Sequence, residues 1–320
     1  MPNPARNGCC TPAPRTAGTS ERRGLAPAAG EPSAIGVAHE ERLLPGGHFL
    51  MGDAFDEGYP SDGEVPVHEV ELSAFSIDVH CVTNAQFSRF VAETGYRTEA
   101  ERYRFSAVFH LLVQADPADV LGIADGAPWW RTVRGADWAH PYGPASGWED
   151  IADHPVVHVS HNDALAYCEW AGRRLPTEAE WEFAARGGLE GRRYAWGDEF
   201  LPDSKHVANI WQGTFPTVNT EEDGYLGPNP AGAFPPNGYG LYDTAGNVWE
   251  WCADRFSPHY YRRSPVQDPE GPKHGMGRVM RGGSYLCHES YCNRYRVAAR
   301  TGNTADSSSG NCGFRTAAIS

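Results

Sequence analysis

The chain has 320 residues, 40% of them hydrophobic, with 36 glycines, 25 prolines, ten tryptophans and a formal charge of −14. Such acidity repels a phosphate backbone and argues against a nucleic-acid partner, while no apolar run approaches the length of a membrane span. The glycine, proline and aromatic content points to a loop-rich fold pinned by aromatic packing, not a helix bundle.

Residues 1–34 are rich in Pro, Ala, Gly and Arg without an aliphatic pattern, and read as a disordered tail ahead of a single domain over 35–320. The N-terminus lacks the apolar segment of a signal peptide. Eight cysteines are too few for a disulfide scaffold, so the expectation is a cytoplasmic protein with reduced thiols. Cys9 and Cys10, in the tail, read as exposed spectators.

Folded sequence is expected to begin near Leu43, with a strand at Phe49-Leu50-Met51 and a polar loop holding Asp62, Gly63 and Glu64. From Val67 to Ile77 the apolar residues keep a broken period of two, which favours strand over helix. Thr83 caps a helix carrying Phe87, Phe90 and Val91 that stops at Gly95. Residues 96–150 read as long packed loops, and His154 to Val159 as a short buried strand. Ser160 with Asp163, and Thr177 with Glu180, form capping boxes that start two more helices, the second stopping at Gly187-Gly188. Turns then dominate up to a strand at Arg278 to Met280.

The candidate chemistry centres on Arg281 to Arg296, where Cys287 and Cys292 are separated by four residues. An extended strand would hold them roughly 16 Å apart, and a straight helix about 140° apart around its axis. If the two sulfurs act together, the backbone must turn sharply between them. A structural disulfide, two unrelated buried thiols, half of a zinc site and a soft-metal or redox pair all remain open at this point. His154, His158 and His161 lack a helical zinc-binding frame and read as structural. Ser284 lacks a nucleophile elbow, and no Walker or G-x-G-x-x-G loop is present. Asn209, Asp223, Asp243 and Glu250 lie in turn-rich segments that could supply the oxygen donors Ca²⁺ prefers, although turns use the same residue types.

The stretch Gly282-Gly283-Ser284-Tyr285 through Cys287-His288-Glu289-Ser290-Tyr291-Cys292-Asn293-Arg294-Tyr295-Arg296 closely resembles the active-site segment of formylglycine-generating enzymes, the sulfatase-modifying factors. Asp62-Gly63-Glu64, Arg173 to Glu182, Ala208 to Gly213, Asn237 to Tyr242 and Gly246 to Trp251 resemble further blocks of that family. The resemblance implies an α+β fold similar to C-type lectins, loop-rich with little regular structure. It implies a prokaryotic-type, copper-dependent oxidase that uses O₂ and a thiol reductant to convert the cysteine of a Cys-x-Pro-x-Arg segment to Cα-formylglycine. The partner would be an unfolded sulfatase polypeptide, and the enzyme a monomer.

Carried onto this sequence, Cys287 and Cys292 would hold Cu(I), joined by the substrate thiolate. Ser284 would hydrogen-bond the bound species, Trp249 and Asn311 would line the oxygen pocket, and His288 would orient its surroundings. One Ca²⁺ would take Asn209, Ile210, Asp223 and Tyr225, and another Asp243, Gly246, Val248 and Glu250, with Glu64 a further possible calcium ligand. Animal members carry a disulfide whose positions here are Cys168 and Thr316, so Cys168 is expected to be unbridged. The tail's Cys10-Thr11-Pro12-Ala13-Pro14-Arg15 misses the substrate motif by one inserted residue. The alternatives are an iron-dependent superfamily member that forms sulfoxides or C–S bonds, which usually needs a separate His-rich domain, and a lectin-like binding module, expected to lack one or both cysteines.

Overall fold

The computed structural model describes residues 38–275 and 277–319; the expected tail, with Cys9 and Cys10, lies outside them. The first strand, β1 (Glu41–Leu44), starts two residues ahead of Leu43. It is followed by β2 (Gly47–Met51), which pairs antiparallel with β3 (His68–Leu72). The run Val67 to Ile77 is extended as expected but is not one strand. Ser73 and Ala74 interrupt it, and β4 (Phe75–Asp78) joins a different sheet, beside β1. The reason is visible in the burial: Val70 and Leu72 point into one core and Phe75 and Ile77 continue it from another sheet.

Helix α1 (Asn84–Thr94) has the expected Thr83 cap, reinforced by a reciprocal bond from Gln86, and stops at Gly95 in the left-handed conformation. The reading of 96–150 as loops is corrected. A short helix, α2 (Glu99–Tyr103), leads into β5 (Phe105–Phe109), β6 (Val120–Ala124) and β7 (Ala127–Arg134), which form a three-stranded sheet with β7 in the middle. Alternation failed as a signal because Ser106 to Phe109 are buried in succession, as are Trp129 and Trp130. His154 to Val159 is a second correction. It forms no strand, only a bridge from Pro155 to Thr83, and His158 at φ 58° breaks the extended run.

Helices α3 (His161–Ala171) and α4 (Glu178–Arg186) start at the expected capping boxes. Between them lies β8 (Arg173–Arg174). The pair β9 (Gly213–Thr214) and β10 (Val218–Asn219) precedes the long central strand β11 (Trp249–Phe256). That strand pairs with β12 (Gly277–Arg281), which in turn pairs with β13 (Arg300–Asn303). The parallel strand β14 (Cys312–Gly313) closes its other edge, and β15 (Ala317–Ala318) returns to lie between β4 and β8. Pairing β15 with β4 ties the two ends of the described chain together.

Buried charge holds the parts in register. All nine residues of α4 are buried; its Glu182 accepts from Arg186 and Arg281, and its Glu178 from Arg300 and Arg281. Burial alone would raise the Glu182 carboxyl, but the two guanidiniums hold it down at about 2. Arg281 is the last residue of β12, so this network fixes the point from which the cysteine segment departs.

Candidate active site

Beyond Arg281 the chain enters the left-handed region at Gly282 and Gly283. A Cβ on Gly283 would lie 2.5 Å from the Arg294 carbonyl oxygen, so only glycine allows this close approach. The Cys287 amide then donates to the Ser284 carbonyl at 2.8 Å. The carbonyl of His288 accepts from the amides of Tyr291, Cys292 and Asn293 at 3.0, 2.9 and 3.2 Å. The backbone therefore reverses between the cysteines, the turn that joint action requires. Both are 0% exposed and belong to one buried cluster with Trp249, Trp211, Tyr285, Tyr295 and Cys312. Burial raises the Tyr295 hydroxyl, which lies in the same buried cluster as both cysteines.

Ser284, Asn311 and Trp249 gather beside Cys287. The Ser284 amide donates to Cys287 Sγ at 3.4 Å, and Asn311 Nδ2 donates to Ser284 Oγ at 3.0 Å. The Trp249 amide donates to the Asn311 carbonyl at 2.8 Å, a consequence of the β11–β14 pairing. The buried Trp249 indole N–H has no acceptor among the described residues. His288 stands apart: it is half-buried and its Nδ1 pairs with Ser290 Oγ at 2.8 Å.

Among the described residues no three His, Cys, Asp or Glu side chains cluster as a metal site; the expected cation sites mix carboxylates with amide and main-chain oxygens. At the first, Asp223 accepts from the Ile210 amide at 3.1 Å and from the Tyr225 amide at 3.0 Å, while Gln212 Nε2 donates to the Ile210 carbonyl. Asn209 Oδ1 is buried with no partner among the described residues, and burial raises the Asp223 carboxyl. An orphaned oxygen beside a raised carboxyl fits a hard cation. At the second, Asp243 accepts from the Gly232 amide at 2.8 Å, and burial raises its carboxyl. Gly246 packs its Cα against the Asn209 carbonyl, bringing the two donor sets side by side. Glu250 is engaged elsewhere: Arg315 binds it at 2.6 and 2.7 Å, and Trp181 Nε1 donates to it at 2.8 Å. Glu64 is likewise held, by both terminal nitrogens of Arg296 at 2.7 and 3.0 Å. A cavity of about 80 Å³ opens beside Asp243, lined also by Trp196, Ala208, Pro235 and Thr244; neither cysteine lines it.

Residues 29–319 match the Sulfatase-modifying factor enzyme 1-like domain. The chain belongs to that family. A formylglycine-generating enzyme of Streptomyces coelicolor is 66% identical over 274 residues, covering 86% of this chain and 87% of that protein. One from Thermomonospora curvata is 58% identical over 278 residues, covering 86% and 92%. Among solved structures, PvdO from Pseudomonas aeruginosa superposes with a TM-score of 0.60 at 24% identity, over 87% of this chain and 93% of that one. This last likeness concerns the fold alone, which is α+β and loop-rich as expected.

His158, His161 and Cys168 keep the structural roles expected of them. His158 is fully buried: its Nε2 donates to the Pro141 carbonyl at 2.7 Å and its Nδ1 accepts from Ser106 Oγ at 2.8 Å. Burial holds its pKa down at about 4, so it is a neutral structural histidine. His161 bonds the Cys252 carbonyl and is also held low, at about 3, by burial. Cys168 is buried and unbridged, and Thr316 bonds Asp78 instead. One aromatic contact carries no sequence signal. Tyr291, next to Cys292, stacks on Phe215 at 4.4 Å and meets Trp129 edge-on at 4.7 Å. They come from three distant segments, and only tertiary packing joins them.

Proposed function

We propose that this chain converts the cysteine of an extended Cys-x-Pro-x-Arg segment of an unfolded sulfatase to Cα-formylglycine, as a cytoplasmic, monomeric, copper-dependent oxidase. The observation that carries the reading is the reversal placing Cys287 and Cys292 in one buried cluster with Ser284, Trp249 and Asn311. Two sulfur donors in aromatic surroundings suit a soft monovalent ion, and Cys287 and Cys292 would hold copper. When bound, that ion supplies a soft site for a thiolate and one-electron chemistry toward O₂. The overall balance is one cysteinyl thiol, one O₂ and two reducing equivalents from thiol, giving aldehyde, H₂S and water.

The chain's own residues bind, orient and exclude. The Ser284 amide steadies charge on Cys287 Sγ. Trp249 closes one wall and keeps water out. Because both cysteines are wholly buried, the substrate thiol enters by parting the cover near Cys292, where Tyr291 packs on Phe215 and Trp129. Those rings then flank the extended peptide, and the acidic surface favours its arginine. Ca²⁺ at Asn209, Ile210, Asp223 and Tyr225, and at Asp243, Gly246 and Val248, would brace the irregular loops behind this wall, with Glu250 kept by Arg315.

The test is incubation with Cu(I), a thiol, O₂ and a Cys-x-Pro-x-Arg peptide, with mass spectrometry for aldehyde. Wild type should convert the peptide, and Cys287→Ser and Cys292→Ser should each lose at least a hundredfold in rate. Equal rates for the variants would reject the site.

A further inference from the structure

Within the segment Ser307–Cys312, Asn311 reaches Ser284, and Ser309, which no motif singled out, reaches Asn311. The segment is held firmly. The Gly310 amide donates to the Ala107 carbonyl at 2.9 Å, and the His158 amide to the Ser309 carbonyl at 3.0 Å. The side chains of His158, Ser106 and Ser308 form a line with a fixed polarity. Since the Pro141 carbonyl only accepts, neutral His158 carries its proton on Nε2, and its Nδ1 takes the proton of Ser106. Ser106 Oγ then accepts from Ser308, 2.9 Å away. Segment and scaffold are thus locked on both sides of Ser309.

Ser309 itself is buried, and its hydroxyl donates to Asn311 Oδ1 at 2.8 Å, with Cys312 Sγ also in range at 3.1 Å. In the structure the Asn311 amide turns Oδ1 to Ser309, which makes the Ser309 hydroxyl the donor of this bond. With Oδ1 turned to Ser309, Nδ2 must face Ser284 Oγ, as observed at 3.0 Å. The Leu286 amide reaches the same oxygen at 3.4 Å. Two donors now occupy the two lone pairs of Ser284, so its single proton points away from both. If the amide were reversed, Oδ1 would face Ser284 and draw that proton to itself.

We infer that Ser309 is a positioning residue: by orienting the Asn311 amide it keeps the Ser284 hydroxyl a hydrogen-bond donor toward whatever is bound at Cys287. This rests on the proposed oxidase reading for its kinetic consequence, but the amide orientation is a property of the protein alone. Losing one such oriented bond in a buried site costs about tenfold in rate.

The experiment compares Ser309→Ala, Ser309→Thr, Ser284→Ala and the Ser284→Ala/Ser309→Ala double variant in peptide turnover. Their Asn311 side-chain amide is followed by NMR in ¹⁵N-asparagine-labelled protein, assigned by its loss in Asn311→Asp. Ser309→Ala should lower kcat about tenfold with KM for the peptide within about twofold, and should shift the Asn311 amide pair. Ser309→Thr, which keeps the hydroxyl, should restore both, and the double variant should be no slower than Ser284→Ala alone. Wild-type kcat in Ser309→Ala, no rescue by threonine, or losses that multiply in the double variant would each overturn the inference. If wild type makes no aldehyde, the oxidase reading fails by itself, and an unmoved Asn311 amide in Ser309→Ala would still refute the positioning role.

Discussion

Replacing Glu182 by Gln removes one charge from the network at the root of the cysteine segment. Glu182 is wholly buried; its Oε1 accepts from the Gly52 amide at 2.9 Å and from Arg186 at 2.6 and 3.1 Å, and its Oε2 accepts from Arg281. Burial opposes its ionisation, but Arg186 and Arg281 prevail and hold the carboxyl at about 2 against an ordinary 4.5. A folded pKa below the unfolded one gives stability that is present above pH 4.5 and is lost as pH falls through about 2. That contribution is about 3 kcal/mol at pH 7 and about 1 kcal/mol at pH 3. Glu182→Gln leaves two buried guanidiniums undercompensated, so at pH 7 it should destabilise by roughly 3–5 kcal/mol. The assay is urea unfolding of both proteins at pH 7 and pH 3. The gap between them should narrow by roughly 2 kcal/mol at the lower pH. A gap that stays constant would show that the ion pairs do not set the Glu182 charge, and the reasoning would fail.

His158 gives the opposite member of the titration series. Burial holds it at about 4 against 6.5, so stability is full above pH 6.5 and is lost as pH falls toward 4. The advantage of wild type over His158→Asn, read by thermal unfolding, should shrink by about 2–3 kcal/mol between pH 7.5 and 4.5. Gly283→Ala places a methyl 2.5 Å from the Arg294 carbonyl at a φ of 75°. It should cost about 1–3 kcal/mol of stability and also displace Ser284, which a joint measurement of unfolding midpoint and peptide turnover would register. Adding Ca²⁺ to chelator-treated protein should raise the unfolding midpoint, by about 2.7 kcal/mol of stability at a hundredfold excess over the dissociation constant. Asp223→Asn should weaken that response, and an identical response would place the ion elsewhere.

What was legible in the chain was local or carried by motif. Thr83, Ser160 and Thr177 announce helix starts because a capping box is complete within four residues. The cysteine spacing requires a reversal if the two sulfurs act together, because neither strand nor helix can bring those side chains together. Family blocks then supplied the fold, since they run through nearly the whole described chain.

The tertiary structure decided the rest, because the forces involved act between distant segments. The sheet of β5, β6 and β7 was hidden since β5 and the Trp129-Trp130 part of β7 are buried in succession, while β6 turns the apolar Leu121 and Ile123 outward, which removes the apolar-in, polar-out alternation from the sequence. His154 to Val159 looked like a strand until one residue, His158, took a positive φ to reach Ser106 and Pro141. Glu64 and Glu250 could be read as cation ligands only while their arginine partners, Arg296 and Arg315, were unknown. Ser309 carries no signature at all; its place beside Asn311 and Ser284 comes from β14 pairing with β11, a contact that no local pattern encodes.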